Sequence, residues 1–599
     1  MKKFLKILIV FLILSTTVYA QKDTVSLKEI EITSNRISVP FSKKSRTIDL
    51  ITSEDLLKSS ATNVSDLLQN FAGIDIRRRG IDGMQSDLYI RGGNFDQTLV
   101  LIDGVKMDDP QTGHHSMNAI IALDNIERIE ILKGPAARIY GQSAFTGAIN
   151  IVTKKVKKNA FAVDLGYGSY ENIKAGISLN QKFKNGSLLT SLGLQESDGY
   201  RFNTDFKNKN IFLKANVKDY HLTTSFTERK FGANGFYASP NNIDQYEETQ
   251  TSLIALGSSY RIGEVIIKPR AYWRRNQDLY LFIRHNPPAY RNLHISNKIG
   301  FETNTVISSN LGKTGLGIDI SKVFLVSNNL NGHNRTVVTG FIEQRMELGN
   351  FDITPGIAIS SLSDFGTRAY PGLDLGYRIS EKFKMYGNIG YTYRVPTFTD
   401  LYYVGPTTQG NADLEPESAL AEEIGFRYKT NQLSFDLAFF NRKSDNLIDW
   451  TKDSEDAKWE ARNFSEVITR GFETSINYNF KVNNKIQHLK LSYNFIDDDI
   501  KDNNVTFTRY SLNSLKHQIA SVLDFKFSQK ISQQIAFRYI KRTNGESYNV
   551  LDAKLLAKIK SKLMMSLSVN NIFNTEYTET NLVPMPRVNG MIGLKYNIY

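Results

Sequence analysis

From about residue 160 to its end the chain repeats one pattern, segment after segment: apolar residues alternate with small or polar ones at period two. In "FAVDLGYG", Phe161, Val163, Leu165 and Tyr167 share one face, while Ala162, Asp164, Gly166 and Gly168 share the other. Ile173, Ala175, Ile177 and Leu179 repeat it, and Lys184-Asn185-Gly186 supplies a tight turn into Leu188, Thr190, Leu192 and Leu194. Ile211 to Val217 and Leu373 to Ile379 continue the pattern. Over hundreds of residues the apolar face is Leu, Ile, Val, Phe and Tyr, and no helical layer is encoded to cover it. Lipid is the natural cover, and a bilayer satisfies no backbone group, so the strands must close into a barrel. About 440 residues follow residue 158, which at roughly 20 residues per strand and connection gives about 22 strands, a size whose lumen is usually plugged. Short connections such as Asn185-Gly186 should face the periplasm, and long ones such as Arg229 to Gln250 the outside. The last residues, "MIGLKYNIY", alternate through Ile592, Leu594, Tyr596 and Ile598 and end on Tyr599, like the assembly signal of outer-membrane proteins.

The first twenty residues, "MKKFLKILIVFLILSTTVYA", read as a cleaved secretory signal: Lys2, Lys3 and Lys6 precede a short apolar run, and Val18 and Ala20 suit signal peptidase. The apolar run is shorter than the roughly 20 residues a spanning helix needs. Without those three lysines, and with no acid among these twenty residues, the formal charge of +13 falls to +10. The excess suits anionic surface lipid or acidic ligands. The basic residues are dispersed rather than clustered, which argues against nucleic acid. An exported chain with no cysteine cannot be a small disulfide scaffold.

Between signal and barrel the grammar differs. Thr62 is placed to cap a helix carrying Val64, Leu67, Leu68 and Phe71, with Gly73 ending it, and Ser53 to cap another through Leu56 and Leu57. Short strands are expected at Ile48 to Leu50, Ile74 to Ile76, Leu88 to Ile90, Leu99 to Ile102, Ile126 to Ile131 and Ile149 to Thr153, with a turn at Asp103-Gly104. This is a mixed domain of roughly 115 residues, large enough to fold.

Six segments in order, "LYIRGG" at 88, "LVLIDGV" at 99, "IERIEILKGPAARIYG" at 126, "GAINIVTK" at 147, "YRVPTFTDLYY" at 393 with "GNADLEPESALAEEIGFRY" at 410, and "LSVNNIFNTEY" at 567, resemble TonB-dependent outer-membrane receptors over nearly the whole chain. The resemblance implies an all-β transmembrane barrel of about 22 antiparallel strands with an N-terminal mixed α+β plug domain inside the lumen. It divides the chain into signal 1–20, N-terminal segment 21–40, plug 41–157 and barrel 158–599. It implies active capture of a scarce nutrient in the outer membrane of a Gram-negative bacterium, driven by the TonB protein of the inner membrane. "SLKEIEITSNR" resembles the segment TonB grips, with Glu29, Ile30, Glu31, Ile32 and Thr33 alternating as an added strand would. Pulling there is expected to unravel part of the plug from its N-terminal strand, across a wet, exchangeable contact with the wall.

Asp108 to His115, with Pro110 and Gly113, is expected to be an apical plug loop in which Asp108, Asp109, Gln111, His114 and His115 face ligand. Adjacent histidines without thiols or a third ligand make a poor metal site, so no metal and no cofactor is assigned. Gly80 to Met84 is a second apical candidate. From the barrel, Phe231, Phe236, Tyr237 and Tyr246 with Arg284 belong to two long loops, and Tyr402 and Tyr403 to a third. Such aromatics suit a bulky planar ligand: a corrin, a siderophore chelate or a haem. The run Arg77 to Arg79 reads as an ion-pair cluster rather than an anion site. Small barrel size favours the cobalamin-type branch over ferric siderophore and haem receptors. Lipopolysaccharide and a surface lipoprotein are further partners such a monomeric barrel could meet. A passive porin would lack the first 155 or so residues' plug signature, and no hydrolase constellation accompanies the eight histidines.

Overall fold

In the structure, a computed structural model, residues 30–33, 36–82, 84–119, 121–237, 242–464, 466–501, 507–509, 514–580 and 583–598 are described. The expected signal, Glu29 of the expected TonB-gripped segment and the terminal Tyr599 lie outside the described residues.

Twenty-two antiparallel strands close into a barrel, counting Tyr260–Ile262 as the continuation of Tyr246–Ser258. Closure joins the first strand, Ala160–Gly168, to the last, Asn589–Asn597, in a register from Ala162 opposite Asn597 to Gly168 opposite Met591. Alternation decides the faces as expected: Leu165 is 52% exposed, Ile177 45% and Leu192 50%, all on the outside, while Ala162 and Ser191 face inward and are buried. Lys184 and Asn185 join Asn172–Phe183 to Gly186–Ser197 as a two-residue turn. The longest strands, Arg291–Ser309 and Asn331–Leu348, have 19 and 18 residues. A tilted spanning strand needs only about 9–11 residues, so these project beyond the bilayer and wall a vestibule.

The longer strands move two expected loop residues: Phe231 lies in Tyr220–Gly232 and Tyr246 opens Tyr246–Ser258, so only 233–245 connects them. Phe231 and Tyr246 are wall residues, because the pairing of Phe231 with Glu247 and Gly232 with Tyr246 carries the ladder past the aromatics.

Inside the bore sits a five-stranded sheet in the order Ile48–Thr52, Ile126–Lys133, Gly147–Thr153, Thr98–Ile102, Val105–Lys106, with a separate hairpin of Ile74–Arg78 and Ser86–Ile90. The expected strands are all present, and Asp103 and Gly104, both at positive φ, make the tight turn. The caps differ by one residue. Asn63 rather than Thr62 accepts from Asp66 N at the head of Val64–Leu68, while Thr62 instead donates to Asp66 and Asp82. Thr52 rather than Ser53 caps Ser53–Lys58 through a capping box with Asp55. The helix Val64–Leu68 also ends before Phe71, and Gly73 at φ +73° makes the turn into the hairpin.

The plug meets the wall in two ways, only partly as expected. Buried ion pairs dominate one side: Arg46 and Arg138 converge on Asp374, Arg138 reaches Glu343, and Arg91 lies between Glu423 and Glu473. On the other side the contact is partly a dry apolar seam, in which Leu189, Phe212, Leu253, Ala255 and Tyr272 of the wall join the plug's core.

Candidate functional site

The plug segment after Val105–Lys106 climbs the wall. Asp108 receives Lys298 Nζ at 2.7 Å. Asp109 receives Ser296 Oγ at 2.7 Å and Asn276 Nδ2 at 3.0 Å and pairs with Arg274. One level higher, His115 Nε2 lies 3.4 Å from Asp278 Oδ2. Pro110 and Gln111 carbonyls accept from the backbone N–H groups of Phe398 and Thr399, so loop and wall are stitched together at the top. Gly113 is required there: a Cβ would stand 2.5 Å from Asp96 Oδ1, which already accepts Gly113 N at 2.7 Å.

The two histidines therefore occupy different environments. His114 stacks on Phe95 with ring centroids 4.0 Å apart, and its Nδ1 is 2.6 Å from Asp87, which also accepts from Arg79. Burial lowers the His114 pKa despite Asp87. Burial also pushes the Asp87 carboxyl up, but Arg79 and His114 outweigh it and hold the group at about 2. His115 has Asn118 Nδ2 at 2.9 Å from Nδ1. With Asn118 donating there, the ring proton sits on Nε2 facing Asp278. Burial opposes protonation of His115, but Asp278 prevails and raises its pKa. Burial drives Asp96 up to about 7 in spite of Arg394. Among the described residues no group of three or more His, Asp or Glu is arranged to hold a metal ion.

Above this loop lies a cavity of about 650 Å³, within the usual size of small-molecule sites. Of the expected residues it gathers Gln111, His114 and His115 from the plug with Tyr237 and Tyr403 from the wall. Tyr237 donates to Glu247 at 2.7 Å, and the Tyr403 hydroxyl is 3.1 Å from that of Tyr290 and accepts Asn292 Nδ2 at 3.2 Å.

The remaining candidates are engaged elsewhere. Asp108 and Asp109 bind the wall below the cavity. Phe231 and Phe236 are buried with Met84, Phe206 and Val583, so the Gly80 to Met84 region packs on aromatics here. Arg284 lies over Tyr246 at 4.8 Å and makes a bidentate pair with Asp205 at 2.6 and 2.8 Å. Tyr402 stacks flat on His333 at 3.8 Å. Arg77, Arg78 and Arg79 form the expected ion-pair cluster with Asp75, Asp66, Glu579 and Asp87.

Tyr290 and His294, from the expected loop of Arg284, also line the cavity, as do Asp96, Glu247, Asp278, Tyr280, Arg394, Asp400, Trp450 and Arg509, none of which stood out in the sequence. Two had a local signal. Thr397 and Asp400 form a capping box that starts the short helix Phe398–Tyr402, and Arg394 precedes it.

At the opposite end of the plug, Glu31 and Ile32 pair with Pro40 and Val39. Ile32 is fully buried, and Thr33 donates from N and Oγ1 to the buried Glu130. Arg128 reaches the Glu31 carbonyl at 3.1 Å. The segment Glu31 to Thr33 is thus docked on the plug by one buried side chain and a few hydrogen bonds.

Residues 41–148 match the TonB-dependent Receptor Plug Domain and residues 156–572 the TonB dependent receptor-like beta-barrel. The chain is similar to the vitamin B12 transporter BtuB of Vibrio vulnificus strain CMCP6, 25% identical over 71% of this chain and 72% of that one. The strain YJ016 transporter of the same name is 23% identical over 92% and 91%. Among solved structures, the siderophore receptor PirA of Acinetobacter baumannii superposes with a TM-score of 0.76 at 16% identity, covering 93% of this chain and 99% of that one. The FrpB iron transporter of Neisseria meningitidis gives 0.77 at 16% identity, over 92% and 99%. A plug seated in a 22-stranded barrel, with both family descriptions matched in order, settles the kinship: the chain belongs to the TonB-dependent receptors, outer-membrane barrels of Gram-negative bacteria.

Proposed function

We propose that the protein imports a corrinoid, delivered through the apical cavity and released inward when TonB pulls on the segment Glu29 to Thr33. The observation that carries the substrate is the cavity's make-up: aromatic rings and amide or hydroxyl groups stand among four carboxylates, Asp96, Glu247, Asp278 and Asp400. A corrinoid offers a broad ring fringed by neutral amides, which such a wall can bind through stacking and hydrogen bonds. A ferric catecholate carries several negative charges, which these acids would repel. The two Vibrio relatives, named as vitamin B12 transporters, support the same choice. A ferric siderophore is the second reading, favoured by the solved neighbours and by Arg394 and Arg509 on the cavity wall.

Within this reading residues 1–20 are the signal, 21–40 carry the TonB-gripped strand, 41–157 are the plug and 158–599 the barrel. The barrel works as a monomer in lipopolysaccharide, and a surface lipoprotein could cap its mouth. Purified protein should bind radiolabelled cyanocobalamin saturably and ferric enterobactin or haem weakly. Binding of ferric enterobactin with none of cyanocobalamin would transfer the assignment to siderophores. A disulfide made from Ile32→Cys and Val39→Cys, opposite each other in the N-terminal segment, should leave binding intact and stop uptake; unimpaired uptake rejects force transmission through this strand.

A further inference from the structure

A second cavity, of about 210 Å³, lies between plug and wall on the side where the barrel's first and last strands meet. Its plug side is made by Ser60, Ala61 and the stretch around Ser116 and Met117, and its wall side by small groups such as Gly176 and Ser191 together with Asp164, Lys174 and Lys554. It reaches from Asn208, near the extracellular start of Phe206–Val217, to Lys595, near the periplasmic end of Asn589–Asn597.

Two further observations set this seam apart. Asn208 is 3% exposed and Ser116 5%, yet Asn208 Oδ1 and Ser116 Oγ find no hydrogen-bond partner among the described residues, and both line the cavity. Buried polar atoms without protein partners call for water or a polar solute in the space they face. The strands Ala160–Gly168, Asn172–Phe183 and Gly186–Ser197 also form no ion pair with the plug among the described residues. The pairs Lys214 with Asp103 and Lys595 with Asp124 mark the two borders of this stretch. Across the bore, Asp374, Glu343, Glu423 and Glu473 hold Arg46, Arg138, Arg91 and Lys133.

Breaking one of those buried pairs would strand a charge, a large penalty, whereas parting the plug from the wall along this cavity exchanges single hydrogen bonds, among them Lys554 Nζ to the Ser59 carbonyl and Asn172 Nδ2 to Asp82, for bonds to water. Motion that keeps the pairs hinges on them and widens the opposite side. Resting on the transport reading above, we infer that the imported solute passes the plug along this seam, between Ala61 and Ser116 on one side and Ser191 and Ser568 on the other.

The chain has no cysteine of its own, so single substitutions report cleanly. Ser191→Cys and Ser568→Cys probe the seam, and Ser360→Cys and Thr392→Cys are buried probes of the far wall. All four are close in size to the native side chain, and circular dichroism of each purified variant checks that the barrel is folded. Labelling by a small membrane-impermeant maleimide is followed in cells given cyanocobalamin and, in parallel, ferric enterobactin, with and without a protonophore. The route predicts labelling that rises several-fold with energisation at the two seam positions, for whichever solute is taken up, and stays flat at the far-wall positions. A rise at Ser360→Cys and Thr392→Cys alone, or an equal rise at all four, overturns the route while leaving transport standing. Energy-independent labelling at all four, with neither solute accumulated, overturns the transport reading on which the route rests.

Discussion

Arg91 shows how much of the plug's seating depends on single charges. It has a positive φ of 48° and is 3% exposed, its guanidinium lies between Glu423 and Glu473, and it faces the ring of Phe440 at 4.4 Å. Arg91→Ala would leave two carboxylates buried with one cation fewer, a loss of about 3–5 kcal/mol in plug docking. The expected result is faster proteolysis of the plug in detergent with barrel circular dichroism unchanged. Asp96 gives a pH prediction. Its carboxyl titrates near 7 in the folded protein against 3.8 when free, so its contribution is complete below about pH 4 and is lost as the pH rises toward 7. Thermal melts of Asp96→Asn should fall less than wild type between about pH 5 and pH 8; equal slopes would show that Asp96 is not the group responsible. In the cavity, Tyr403→Ala should weaken cyanocobalamin binding roughly tenfold, about 1.4 kcal/mol, by titration with the purified protein. At this scale the sequence was half legible. His114 and His115 stood out as unusual neighbours, but Asp278, His294 and Trp450 lie more than 150 residues away and meet them only when the barrel closes. Asp108 and Asp109 looked equivalent to Gln111 in a loop, and only the register of the wall shows that they face Lys298 and Arg274 below the cavity.

Elements were easier to read than their contacts. Period two fixed the strands because one face meets lipid along the whole barrel, and the short plug strands were marked by isolated Ile and Leu clusters. Caps slipped by one residue, since Thr62 and Asn63, or Thr52 and Ser53, are chemically near-equivalent cap candidates and the neighbouring fold selects between them. The helix Ala137–Tyr140 was not foreseen, and with Pro135 just before it, it accounts for Gly372 and Gly390 of the wall. Gly356, Gly372 and Gly390 stand side by side on successive strands, and a Cβ at Gly372 would come 2.7 Å from Arg138 Cδ, one at Gly390 2.9 Å from Pro135 Cβ. Gly372→Val should therefore push Arg138 away from Asp374 and Glu343, loosening the plug without opening the barrel. Limited proteolysis releasing plug fragments, with the barrel still heat-modifiable on a gel, would bear this out; wild-type resistance would not. The strand proposed as TonB's grip behaves as an element in the same sense. Ile32 and Thr33 are held by a two-residue ladder and Glu130, few enough bonds to be exchanged for main-chain pairing with a partner strand.

For the whole molecule the decisive relation is between a lipid-facing cylinder and the folded domain that fills it. The alternating face supplied the barrel and the approximate strand number before any pairing was known, and the change of grammar before residue 160 supplied the plug. What no sequence pattern could supply is the asymmetry of their contact, densest in buried ion pairs around Asp374, Glu423 and Glu473 and apolar around Leu189, Phe212 and Leu253, because it arises from which strands the plug's arginines reach. The central claim, that the plug closes the bore, is tested most directly by planar-bilayer conductance of the intact protein and of a chain lacking residues 41–157. The intact receptor is predicted to be electrically silent and the deletion to give a large, steady pore. A porin-like current through the intact protein, or silence from a deletion that circular dichroism shows to be a folded barrel, would contradict it.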